Sequence, residues 1–433
     1  MKDLREELYS RVLYRMDTHS DISEQGLREL IEQAVLEESD QNHLPASEKN
    51  RYRKELFDAF CRYDVLSDAI EDTGITEIMV NGPDRIFIER DGTIVPYGKV
   101  FSSREKLEDM IQIIVSKVNR QVNEAHPIAD ARLENGDRVN VVLPPVALNG
   151  PILTIRRFSK TPITMERLIA LGSITREAAE YLRVLVESRY NIFISGGTGS
   201  GKTTFLGALA SFIPKEQRVI TIEDSAELQL PLHNLVRLEA RPANTEQQGQ
   251  VTIRDLMRTS LRMRPDRIIV GEIRSAEALD MLQAMNSGHD GSMSTGHGNS
   301  PKDMLFRIET MVLMGMQLPL AAVRRQLSSA IEILIQLGRL RDGSRRVLSI
   351  QEITGMEGEE ISLHSLFTFT ETGESHGKVQ GELVQTGEEL ERKAKLAAAG
   401  KVLPGKVQAG KSSGDSTGDG QMGTGTVADL SAL

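Results

Sequence analysis

Gly196-Gly197-Thr198-Gly199-Ser200-Gly201-Lys202-Thr203 follows the apolar run 191–195 and precedes a stretch with helical spacing. The octet fits G-x-x-x-x-G-K-[ST], and it stands between a strand and a helix, where that chemistry needs it. Glycines let successive backbone N–H groups turn inward at a β-phosphate without Cβ clashes, while the following helix offers its positive N-terminus to the anion. In this reading Lys202 bridges the β- and γ-phosphates and Thr203 ligates Mg²⁺. The nucleotide-binding set is then Gly196, Gly197, Thr198, Gly199, Ser200, Gly201, Lys202, Thr203 and Thr204, with ATP and Mg²⁺ as cofactors.

A phosphate loop alone serves kinases and GTPases equally, so the neighbouring strand ends decide what happens to the γ-phosphate. Residues 219–222 end in Glu223-Asp224, and residues 268–270 end in Gly271-Glu272. In an open parallel sheet ligands gather at the carboxyl ends of strands. Glu272 is the candidate general base for water, and Glu223 the group that holds Mg²⁺ through water or polarises the same nucleophile. The plainer reading is that strand-end acids merely cap the helices after them, and for Asp224 the two readings balance. His297 lies in the glycine-flanked loop 294–299, from which it could reach a γ-phosphate or simply face solvent. A metal pair of His289 and His297 lacks a third ligand at usual spacing, so no metal beyond Mg²⁺ is expected. A ring ATPase needs an arginine that crosses a subunit boundary. Arg237 and Arg241 are the candidates because they follow the Glu223-Asp224 strand closely, whereas Arg156, Arg157, Arg254, Arg262, Arg264 and Arg274 read as ordinary ion-pair formers. Met304, Met311, Met314 and Met316 read as packing residues.

Outward from this engine, strands at 192–194, 219–222 and 268–270 alternate with helical stretches over 161–372, the pattern of a parallel sheet covered by helices. Residues 63–160 carry short β-like runs, 75–80 and 86–89, with turns at Asn81-Gly82-Pro83 and Asp91-Gly92, a helix near 104–119 and strands near 138–143 and 153–158, predicting a smaller α+β domain. Residues 1–62 predict a helical bundle: Ile22, Leu27, Leu30, Ile31, Val35 and Leu36 recur at helical spacing, and Asp21 with Glu24 makes a capping box. Residues 373–433 are rich in Gly, Ser, Lys and Glu and predict a C-terminal extension, largely disordered. The fold class is therefore α/β: a P-loop domain preceded by a smaller α+β domain and a helical bundle.

The 433 residues allow about three domains. With 39% hydrophobic and 26% charged residues the composition is that of a soluble globular chain, and a lone cysteine, Cys61, can close no intrachain disulfide, which suggests a reducing compartment. Neither a secretion signal nor an apolar span is written in the sequence, so a cytoplasmic protein that reaches a membrane through partners is expected. A net charge of -10 argues against a nucleic-acid coat, and no direct nucleic-acid contact is expected.

The segments 196–204, 221–224, 264–274 and 291–300 resemble, in order, the Walker A, Asp box, Walker B and His box of secretion-superfamily ATPases. Through 75–82, Asp130-Ala131-Arg132-Leu133, Arg138-Val139-Asn140 and Ile155-Arg156-Arg157-Phe158 the likeness extends to the CpaF-type ATPases of tight-adherence (Flp) pilus systems, over about residues 64–370. The resemblance implies a homohexameric ring in which a RecA-like domain hydrolyses ATP at subunit interfaces while the preceding domain swings to drive inner-membrane platform proteins. It makes Glu272 the Walker B glutamate, gives Gly271 the place where other P-loop proteins have Asp, and makes His297 the His-box residue. Two departures stand out. Cys61 alone cannot build the four-cysteine zinc module of many type II secretion and pilus-extension ATPases, and Gly298 stands where relatives more often have Ala, adding backbone freedom beside His297. The function implied is assembly, or also retraction, of a Flp pilus. The alternatives are a type IV secretion or conjugation ATPase exporting protein or DNA, and a nucleotide-gated scaffold, against which Lys202, Thr203, Glu223 and Glu272 all stand intact.

Overall fold

The computed structural model describes residues 4–17, 23–90, 92–117, 121–133, 135–157, 162–243 and 248–404. Helices α1 (Leu4–Asp17), α2 (Glu24–Asn42) and α3 (Ala46–Cys61) close around Leu8, Val12, Leu27, Ile31, Val35 and Leu56. Ser23 caps α2, its Oγ accepting the Gly26 N–H at 3.2 Å. This replaces the expected Asp21–Glu24 box: the cap needs an oxygen three residues before an unpaired N–H, which Ser23 supplies, while Asp21 lies outside the described residues.

A short turn and α4 (Ser67–Glu71) lead into strands β1 (Ile75–Asn81), β2 (Ile86–Arg90) and β3 (Thr93–Pro96), helix α5 (Arg104–Ser116), and strands β4 (Ile128–Arg132), β5 (Arg138–Val142) and β6 (Ile152–Arg156). They form an antiparallel six-stranded sheet in the order β3-β2-β1-β6-β5-β4. Strand alternation sends Ile78, Val80, Val139, Val141, Leu153 and Ile155 to one face, against Leu107, Ile111 and Ile114 of α5. The same alternation puts Glu77, Arg156, Arg138 and Arg132 in one row across the other face, since Glu77 pairs Arg156, Arg156 pairs Arg138 and Arg138 pairs Arg132.

The rest of the chain runs α6 (Met165–Ala170), α7 (Arg176–Glu187), β7 (Ile192–Gly196), α8 (Lys202–Ala210), β8 (Val219–Glu223), β9 (Leu235–Glu239), α9 (Ile253–Ser260), β10 (Arg267–Val270), α10 (Glu277–Asn286), β11 (Met293–His297), α11 (Pro301–Gly315), α12 (Leu320–Ala330), β12 (Ile333–Arg339), β13 (Arg345–Glu357), β14 (Glu360–Ser375), β15 (Lys378–Gln385) and α13 (Ala394–Ala399). It builds a nine-stranded sheet ordered β15-β14-β13-β12-β7-β11-β10-β8-β9. From β12 to β9 every neighbouring pair is parallel, whereas β13, β14 and β15 add on antiparallel. Successive β7 residues divide between two apolar layers: Ile192 and Ile194 join α7, α8 and α13, and Phe193 joins α10, α11 and α12. This is an α/β fold of RecA type with a preceding domain.

The boundary expected at 373 falls inside β14, and residues up to 404 are folded onto the sheet. The polar composition hid an amphipathic strand, β15, in which Val379 and Leu383 are buried while their immediate neighbours face solvent. From 405 onward the expected tail lies outside the described residues. Among the described residues no single helix is long and apolar enough to cross a membrane; α11 and α12 pass that test only as a pair bent by 119°, and both contribute to the core.

Candidate nucleotide-binding site

Because β11 lies between β7 and β10, and β8 follows β10, the carboxyl ends carrying Gly196, His297, Glu272 and Glu223 meet on one side of the sheet. The phosphate loop passes into α8 through Gly201, whose φ of 91° is left-handed and suits glycine. Lys202, only 8% exposed, donates to the carbonyls of Gly196 at 3.1 Å and Gly197 at 3.2 Å, and its Nζ lies 3.1 Å from His297 Nδ1. Burial, reinforced by Arg274, pulls the ammonium below its ordinary range, against the pull of Glu272. His297 is likewise pushed below its usual value, first by burial and then by Lys202.

Glu272 has a basic side chain against each oxygen. Its Oε2 accepts from Arg274 Nη2 at 2.7 Å and Nε at 3.0 Å. Its Oε1 is buried and faces His297 Nε2 at 2.7 Å. Glu223, 3% exposed, is divided: Oε2 accepts the N–H groups of Glu227 at 2.7 Å and Leu228 at 2.9 Å, and Oε1 is buried without a partner. Glu223 thus has one oxygen taken up by the following loop and the other left open. Burial raises its pKa above the usual carboxylate value. Gly271 makes room for it, since a Cβ there would stand 2.9 Å from Glu223 Cγ. Asp224 is exposed, 3.9 Å from Arg274.

The open Glu223 oxygen, with the buried and unpartnered hydroxyls of Ser195 and Ser200, is a set of the kind a hydrated Mg²⁺ and a phosphate would satisfy. Among the described residues no group of three or more His, Cys, Asp or Glu side chains is arranged to hold a metal by itself. An ion held mainly by phosphate and water, with Thr203 and Glu223 nearby, matches that.

Arg237 and Arg241 are not brought to the loop. Strand β9 is an edge strand separated from β7 by β8, β10 and β11, so residues on it or beyond it start about 19 Å away at ordinary strand spacing. Arg237 reaches the Ala226 carbonyl at 3.5 Å and lowers the Glu223 pKa slightly, while Arg241 donates to Gly249 O at 2.7 Å. Besides Arg274 and Arg345 of this domain, arginines reach the site from the other sheet. A cleft of about 200 Å³ is lined by Arg138, Arg156, Arg157, Thr203, Thr204 and Glu227 among others. Period-2 reading of β5 and β6 could have found Arg138 and Arg156 on one open face. Nothing in the sequence marks Arg345, whose Nε donates to the Gly199 carbonyl at 2.8 Å.

The family described as Type II/IV secretion system protein matches residues 63–381. A Mycobacterium tuberculosis protein described under conjugal transfer is 35% identical over 301 residues, 68% of this chain and 85% of its own length. Type IV secretion system protein VirB11 of Brucella suis is 35% identical over 309 residues, covering 65% of this chain and 86% of its own. The crystal structure of the Brucella suis VirB11 ATPase with sulphate aligns at 32% identity and TM-score 0.37, covering 66% of this chain and 92% of that one. With the family match spanning most of the sequence, the chain belongs to the type II/IV secretion system protein family.

Proposed function

We propose that the chain is an ATP-hydrolysing ring motor that powers a membrane-associated pilus or secretion machine. The observation carrying this is the meeting of Lys202, His297, Glu272 and Glu223 at the phosphate loop, with Glu272 Oε1 against His297 and Glu223 Oε1 open. On nucleotide binding Lys202 exchanges the Gly196 and Gly197 carbonyls for phosphate oxygens. Glu272 Oε1 orients and deprotonates the attacking water, while Arg274 and His297 fix the carboxylate. Bound Mg²⁺ supplies charge that neutralises the phosphates. His297, losing its Lys202 contact, reports the change to α11, because Met304 packs over the glycines on either side of it. The test is phosphate release by wild type and Glu272→Gln over a range of protein concentrations. Activity per molecule should rise with concentration and fall roughly 10²-fold in the variant, with nucleotide binding kept. Equal turnover in both would remove Glu272 from the mechanism.

For the machine driven, the resemblance through 75–82, 130–133, 138–140 and 155–158 supports assembly, and also retraction, of a Flp pilus by a homohexamer working on inner-membrane platform proteins. The second reading, a type IV secretion or conjugation motor, is favoured by the conjugal-transfer and VirB11 relatives. Deleting the gene separates them: loss of surface filaments supports the first, loss of protein or DNA export the second. Residues 1–60 are the proposed docking piece. Their removal should leave nucleotide binding intact and abolish pull-down of the platform; full pull-down by the truncated protein would place docking elsewhere.

A further inference from the structure

The cleft between the two sheets is built to attract an anion. Arg138, Arg156 and Arg157 line one wall, and Thr203 and Thr204 of the first turn of α8 line the other. Two of the guanidiniums have acids of their own domain nearby, Arg157 3.0 Å from Asp137 and Arg156 3.8 Å from Glu77. Arg138 instead takes its partner from the opposite wall: its Nη1 lies 2.9 Å from Glu227 Oε1, and Glu227 is the one carboxylate among the residues lining the cleft. The pair is partly screened, with 40% and 25% of the two side chains exposed.

Glu227 has a second contact. Its backbone N–H, with that of Leu228, holds Oε2 of Glu223. The preceding residue is fastened to the same sheet as Arg138, since Arg132 Nη2 donates to the Ala226 carbonyl at 2.8 Å and Arg132 Nη1 lies 2.9 Å from Glu239. Segment 226–228 is therefore pinned between the arginine row and the carboxylate proposed to serve the nucleotide, and moving Glu227 pulls on Glu223 directly.

We infer that Glu227 is a built-in stand-in for a nucleotide phosphate. Its carboxylate occupies Arg138 in the nucleotide-free site and must be displaced by a phosphate oxygen before the site is complete. While Glu227 holds Arg138, the 227 and 228 N–H groups hold Glu223 in its capping position. When phosphate takes Arg138, segment 226–228 loses one anchor and Glu223 gains freedom to turn toward the nucleotide. Arg138 is then a phosphate-binding residue, and Glu227 a positioning residue that makes nucleotide entry and release of Glu223 one event. The inference rests on the nucleotide-site reading proposed above.

A mutant cycle in the full chain tests it, using a fluorescent non-hydrolysable ATP analogue at equilibrium and phosphate release at steady state. Glu227→Gln removes the competing charge but keeps size, and should tighten the analogue about fivefold and lower KM equally. Glu227→Asp should behave like wild type or between the two. Arg138→Ala should weaken the analogue, and adding Glu227→Gln to it should change nothing further, because the competition has no object. Unchanged or weaker binding in Glu227→Gln overturns the inference, as does the same ratio in both arginine backgrounds. If Glu227→Gln is lost to misfolding, the Asp variant and Arg138→Lys carry the comparison; wild-type affinity in both, with Arg138→Ala also unaffected, overturns it. Failure of the wild type itself to bind the analogue would sink the nucleotide reading and this inference together, whereas binding that no variant alters sinks only the latter.

Discussion

Gly271 and Gly298 are small because their surroundings leave no room, and neither has a left-handed backbone. A Cβ at 298 would lie 2.6 Å from Ser195 Oγ and 3.0 Å from Met304 Cβ, so the expected gain in backbone freedom beside His297 gives way to a packing reason. Gly271→Ala should cost about 1–3 kcal/mol in urea unfolding by pushing Glu223 aside. The same variant should need more Mg²⁺ for half-maximal phosphate release; an unchanged requirement would remove Glu223 from ion binding. His297 gives a pH prediction. Its folded value lies below the ordinary 6.5, so below that pH the unfolded chain binds a proton that the folded chain resists. Stability should therefore fall as pH drops from about 6.5, and less steeply in His297→Asn, which urea midpoints across pH 5 to 8 would measure. The phosphate loop and the two strand-end glutamates were legible because backbone geometry and charge demand those residue types at fixed spacing. The division of Glu223 between loop N–H groups and an open oxygen was not, since it depends on where residues 227 and 228 turn back.

At the scale of elements the C-terminal segment departs most from its sequence reading. Residues 386–404 fold back as a clasp. Glu352, fully buried, accepts the N–H groups of Glu391 and Arg392 at 2.8 Å each, and the Tyr190 hydroxyl donates to the Arg392 carbonyl. Lys395 Nζ lies 2.6 Å from Glu332 and 2.8 Å from Asp290. Truncation after 385 would leave Glu352 and Glu332 buried without these partners and should cost about 3 kcal/mol or more. Truncation after 404 removes none of these contacts and should leave the thermal midpoint unchanged; thermal unfolding of both truncations decides it. Parallel strands β7, β8 and β10 were legible because their buried runs are mostly apolar, whereas β11, read as the loop 294–299, is a buried strand of Met293-Ser294-Thr295-Gly296-His297, its small and polar residues hiding it. Strands β3 and β4 are short sheet edges with weak patterns, and β15 lies in the segment whose composition reads as a disordered extension, with only Val379 and Leu383 buried among polar residues.

For the molecule as a whole, four apolar clusters hold three bodies, and none of these clusters among the described residues contains side chains from both sheet domains. Contacts between them include Arg132 with Glu239 and Ala226, and Arg138 with Glu227. No pattern within a single strand reports such a seam, because each partner looks like an ordinary surface charge until both sheets are in place. A seam joined by ions can part and close without carrying hydrocarbon into water. Heat-capacity change follows apolar exposure, so parting should leave almost no calorimetric trace, and cooling or warming should shift the open fraction little. Dissolved salt, which screens paired surface charges over about 10 Å at 0.1 M, is what should move it.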